Sequence, residues 1–110
     1  MSFETMEMTT VVRRESPRVV RMAVRGDLDA ANADLLRGAF QDAAGDGGAR
    51  LEADLSGVTF CSLAGLSVLL GTRRSLGERF VVLAAPPGVR RLLSVLQMPD
   101  ALGPALKSPA

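Results

Sequence analysis

The stretch DLSGVTFCSLAGLSVLL, residues 54–70, joins an apolar strand to a helix through a turn of small residues. Just upstream, Leu51, Ala53 and Leu55 alternate with polar neighbours, the period of a half-buried strand. Val58 and Phe60 carry that strand to an apolar end, and Leu66, Leu69 and Leu70 then recur at helical spacing. The turn between them, Cys61-Ser62-Leu63-Ala64-Gly65, leaves backbone N–H groups at a helix N-terminus, where an anion or a partner protein can be met. This corner is the expected functional site.

Outward from it, the elements alternate without internal repeats. Residues 1–7 read as a loose leader, residues 8–13 as a first strand, and Glu15-Ser16-Pro17 as a turn. Residues 19–25 predict a second strand with Val20, Met22 and Val24 on one face and Arg21 and Arg25 on the other. Gly26-Asp27-Leu28-Asp29 is expected to turn the chain into a helix capped by Asp29, with Leu36, Ala39, Phe40 and Ala43 as its apolar stripe. Gly45-Asp46-Gly47-Gly48 ends that helix. Downstream, Gly77 caps the central helix, residues 80–84 form another apolar strand, and a last helix starts near Pro86-Pro87-Gly88. Its stripe is Val89, Leu92, Leu93 and Leu96; beyond Met98-Pro99 a short helix over residues 101–106 is allowed. The order ββαβαβα implies α/β layering, with the later strands joined by right-handed crossovers.

Composition narrows the function classes. A chain of 110 residues is the usual size of one domain. A formal net charge of +1 gives no global attraction to nucleic acid or to an anionic membrane. One cysteine cannot form an internal disulfide, which points to a reducing, cytoplasmic home. No apolar run is long enough to insert into a membrane, and the start, MSFETMEM, lacks the features of a signal peptide. Without histidine, a transition-metal site would rest on carboxylates alone, so no metal and no cofactor is expected. Gly45-Asp46-Gly47-Gly48 lacks the Lys-Ser/Thr ending of a phosphate-binding loop. Asp27 and Asp29 read better as turn and cap residues than as a catalytic pair. Arg13-Arg14, Arg73-Arg74 and Arg90-Arg91 read as solvated faces, with Arg73 and Arg74 also placed to meet an acidic partner. No nucleophile–base pair marks an enzyme.

DLSGVTF, followed by a small-residue turn and Gly65-Leu66, resembles the signature of STAS domains, specifically the bacterial anti-sigma factor antagonists. Gly26-Asp27-Leu28-Asp29 is similar to the family's G-E-L-D segment ahead of the first helix. The resemblance spans residues 8–106, leaving residues 107–110 as a tail, and implies an α/β STAS (SpoIIAA-like) fold with a mixed four- to five-stranded sheet and helices packed against it. It implies a non-enzymatic, cytoplasmic regulator that binds an anti-sigma factor, often also a serine kinase, and so controls sigma-factor release. The alternative it implies is a STAS scaffold subunit of a membrane transporter or signalling complex. A homodimer is left open. The partner surface implied comprises Asp27, Asp29, Asn32, Ser62, Leu63, Ala64, Gly65 and Ser67.

The family's switch is a serine just after the signature aspartate, whose phosphorylation blocks binding by placing negative charge in the interface. Here Ser62 stands at the aspartate position, Leu63 at the acceptor serine and Ala64 at the second Ser or Thr. Leucine has no hydroxyl, so the resemblance implies a binder without the usual phospho-switch, or one in which Ser62 substitutes as acceptor. Ser62 also reads as a plain helix N-cap, Leu63 as an interface anchor or a core residue, and Cys61 as a small buried hydrophobe rather than a redox sensor.

Overall fold

A computed structural model describes residues 7–45 and 47–103. Its elements run β1 (Thr9–Ser16), β2 (Val19–Leu28), α1 (Ala33–Ala44), β3 (Arg50–Cys61), α2 (Leu63–Leu76), a 3-10 turn (Gly77–Arg79), β4 (Phe80–Leu83) and α3 (Pro87–Val95). The four strands form one sheet in chain order, β1 antiparallel to β2 and the other pairs parallel. This is the mixed α/β sheet that the element order implies.

The alternation in β2 decides where the core lies. Val20, Met22 and Val24 are buried on one face, while Arg21 and Arg25 are exposed on the other. Register carries the pattern across the parallel strands: Met22, Ala53 and Val82 stand in one buried row, while Val12, beside Met22 on the edge strand β1, is 51% exposed. Onto that face the helices bring Leu36 and Phe40 of α1, Leu66 and Leu69 of α2, and Val89 and Leu93 of α3, all in one apolar cluster. Phe40 meets Phe80 edge to face with ring centroids 5.3 Å apart, tying α1 to β4. On the opposite face Glu52 is only 8% exposed. Its carboxylate accepts from Arg21 at 3.0 Å and pairs with Arg50 at 2.8 Å, which satisfies the charge where it is sequestered.

Several boundaries differ from the sequence reading. β1 extends to Ser16, and the turn shrinks to Pro17 and Arg18, with the Arg18 N–H donating to the Ser16 hydroxyl. β2 does not turn at Gly26-Asp27-Leu28-Asp29 but continues to Leu28, because parallel pairing with β3 holds it as far as Leu28 opposite Cys61. Gly26 absorbs an irregularity there with a φ of 94°, a conformation a side chain disfavours. Asp29 is not the cap of α1; Asn32 occupies that position. The corner turn expected over residues 61–65 contracts to Ser62, since Cys61 still pairs with Leu28 and α2 begins at Leu63.

β3 also changes face midway. Ala23 lies opposite Asp54, Arg25 opposite Gly57 and Asp27 opposite Phe60, so β3 gains a residue on β2 at each of two irregularities. The inward series shifts from Leu51, Ala53 and Leu55 to Val58 and Cys61. Phe60, which the alternation makes an apolar strand end, is turned out and 55% exposed. β4 stops at Leu83 rather than residue 84. In place of the expected 101–106 helix, residues 101 and 102 form a turn and Gly103 follows with a φ of 95°. Residues 104–106, residues 1–6 of the leader expected over 1–7, and the tail at 107–110 lie outside the described residues.

Candidate functional site

Parallel strands followed by helices place the C-terminal ends of β2 and β3 and the N-termini of α1 and α2 at one end of the sheet, where ligands and partners of α/β proteins gather. The two motifs, distant in sequence, meet there. The Ser62 N–H donates to the Leu28 carbonyl at 2.8 Å. The Thr59 hydroxyl donates to Asp27 Oδ1 at 2.6 Å. Asn32 Nδ2 donates to the Asp27 carbonyl at 2.7 Å, and its Oδ1 accepts the Asp29 N–H at 3.0 Å. Asp29 Oδ1 accepts the Ala31 and Asn32 N–H groups, so its carboxylate closes the loop into α1 instead of facing a reacting atom. Asp27 and Asp29 are therefore both engaged in shaping the corner.

Ser62 caps α2 as its residue type predicts: the hydroxyl oxygen accepts the Gly65 N–H at 3.3 Å, with extended backbone at the cap. Gly65 is buried because α2 starts directly against β2. A Cβ added there would lie 2.7 Å from Leu28 Cβ and 2.8 Å from the Leu28 carbonyl oxygen, too close for any side chain. Gly65 thus provides close approach rather than contact surface. Ala64 is half-buried, and Ser67 is exposed with its hydroxyl donating to the Leu63 carbonyl at 2.9 Å.

Leu63 points outward and is 58% exposed. At the same end of the sheet Leu35, in the first turn of α1, is 69% exposed, and Phe60 stands opposite Asp27. Large apolar side chains are also exposed elsewhere, at Val11, Val12, Val95, Leu96 and Met98, so what singles out Leu63, Leu35 and Phe60 is their position at the end of the sheet where the two motifs meet. Thr59, Phe60 and Leu35 are additions to the residues that sequence reasoning assigned to the corner. Leu35 carried a signal, because it falls outside the Leu36–Phe40 stripe; Phe60 carried none, because its orientation follows from the irregular pairing of β3 with β2.

Cys61 is buried, and burial pushes its thiol up to about 11, which leaves it protonated and unreactive near neutrality. Arg73, weighed above as a cation for a partner, instead donates to the Phe80 carbonyl at 3.0 Å; Arg74 is exposed. No group of metal-ligating side chains exists among the described residues, and no helix there is long and apolar enough to cross a membrane.

Comparison with known proteins identifies the family and the fold. The family described as "Mlab, STAS domain" matches residues 11–104. An anti-sigma factor antagonist from Mycobacterium paratuberculosis is 31% identical, with a TM-score of 0.73, over 89% of this chain and 84% of its own. The anti-sigma factor antagonist SpoIIAA in its unphosphorylated form shares the fold, with a TM-score of 0.67 at 18% identity over 83% of each chain. The murine Slc26a9 anion transporter, in its inward-facing state, contains the same fold within a larger protein: a TM-score of 0.62 at 22% identity, over 74% of this chain and 14% of that one. No curated protein sequence matches the chain.

Proposed function

The chain belongs to the STAS domain family, and from that premise we propose that it is a non-enzymatic anti-sigma factor antagonist, binding an anti-sigma factor through the corner at Ser62 and Leu63. The observation that carries this reading is the exposure of Leu63 in the first turn of α2, with Leu35 also exposed at the same end. A leucine facing water contributes nothing to the monomer core, yet it supplies apolar area to a partner that covers it, about 25 cal/mol per Å² buried. Asp27, Asp29 and Asn32 hold the loop before α1 in shape beside it, and Ser67 offers a hydroxyl one turn further along α2.

The same corner supports a binder without the family's phospho-switch. Leu63, at the acceptor position implied by the resemblance, has no hydroxyl to phosphorylate. Ser62, the substitute, has its oxygen engaged with the Gly65 N–H at the helix start. In this reading abundance, not phosphorylation, sets how much anti-sigma factor is held.

Mixing the purified chain with anti-sigma proteins encoded in its own genome, with and without ATP, tests the proposal. A stable complex is expected, unchanged by ATP and weakened about tenfold or more by Leu63→Asp, which would bury an unpaired carboxylate. Leu63→Ser is expected to restore ATP-dependent release with any partner that is a serine kinase. Phosphate on Ser62 of the unaltered chain would overturn the switchless reading, and failure to bind any such protein would overturn the antagonist role. Likeness to the Slc26a9 transporter favours one second reading, a STAS scaffold on a membrane complex. Co-purification with a transporter from membranes would select it.

A further inference from the structure

β3 exposes a stretch of strand edge beside the corner. It runs to Cys61, but β4 pairs with it only over Leu51, Glu52, Ala53 and Asp54. The chain itself does not continue along that edge: Ala84 adopts a left-handed backbone with φ 55°, and Pro86 and Pro87 have no N–H to donate. Among the described residues no strand lies along β3 beyond Asp54 on this side. The Asp54 carboxylate already accepts the Ser56 N–H at 2.9 Å, which leaves residues 57–60 as the open edge.

A groove of about 250 Å³ follows that edge, between residues 58–61 of β3 and residues 86–89 at the start of α3. Phe60 stands exposed on its strand side. A cation lies close by. Arg25 crosses Gly57 from β2, and a Cβ on Gly57 would come within 2.6 Å of Arg25 Cγ. Arg25 is exposed and has no ion pair or hydrogen bond among the described residues.

We propose that this edge receives an extended segment of another polypeptide, added to the sheet as a short strand beside β3 and carrying an acidic side chain that pairs with Arg25. Backbone hydrogen bonds along residues 57–60 supply affinity, the groove next to Phe60 takes an apolar side chain, and the uncompensated cation selects for negative charge. This site adjoins the corner and shares Phe60 with it, while Arg25 lies outside the corner, so the effect of Arg25→Gln tests it whether or not the partner at Leu63 is an anti-sigma factor.

Panning phage-displayed random peptides against the full chain tests it. The expected peptides alternate apolar residues with at least one carboxylate and slow amide exchange at residues 57–60. Their affinity should fall about tenfold or more with Phe60→Ala or Arg25→Gln, and hold with Val95→Ser on the exposed end of α3. No enrichment over an uncoated surface, protection elsewhere on the protein, or peptides indifferent to both substitutions would overturn the proposal.

Discussion

Cys61 shows how a single side chain reports its surroundings. It ends β3 facing inward, and desolvation disfavours its thiolate, raising the thiol from an ordinary 9.0 to about 11. A folded-state value above the unfolded one means the neutral thiol stabilises the fold fully below pH 9. That contribution is lost as pH rises through about 11. Thermal melts should therefore show stability falling across this alkaline window, by on the order of 2 kcal/mol. Cys61→Ala should flatten the fall, which assigns it to this thiol. A native thiol that alkylates as fast at pH 8 as the urea-unfolded chain would contradict the burial.

At the scale of elements, the corner depends on how closely α2 begins beside β2. Ser62 hangs from Leu28 by one backbone hydrogen bond, and Gly65 lets the first turn of α2 rest on Leu28 itself. Gly65→Ala would gain about 1 kcal/mol of helix propensity in isolation. Against backbone less than 3 Å away the clash wins, because a carbonyl in a paired strand end cannot move aside as a flexible side chain can. Urea denaturation should show a net loss of about 1–3 kcal/mol. A neutral or stabilising result would mean that α2 starts further from β2 than described.

Across the whole molecule, helices cover one sheet face and a charge cluster occupies the other. Glu52 is sequestered there, but its partners Arg21 and Arg50 are each about half exposed. Glu52→Ala therefore frees two arginines that can rehydrate, unlike the broken pair of a closed core. The loss expected from denaturation midpoints is about 1–2 kcal/mol, below the 3–5 kcal/mol typical of a fully buried pair. The hydrogen bond from Arg21 to Glu52, with Coulombic support from Glu52, Glu15 and Asp54, raises the Arg21 guanidinium above its already high ordinary value and keeps it charged.

The sequence by itself determined the order of elements, the inward faces of β2 and α1, the inward Val89 and Leu93 of α3 though not Leu96, which lies past the helix and is exposed, and the identity of Ser62 as a cap, because each follows from periodicity or from bonds within a few residues. It also marked Asp27, Asp29, Asn32, Ser62 and Leu63 as one neighbourhood through paired motifs. Tertiary structure alone decided where β2 ends, that Asn32 rather than Asp29 precedes α1, and that Phe60 faces water. Those outcomes rest on pairing between residues about thirty apart: β3 gains two residues on β2, and each gain reverses which side chains point inward. A local pattern carries no record of its partner strand's register, so the apolar stretch that was legible as a strand could not disclose which of its residues would be left outside.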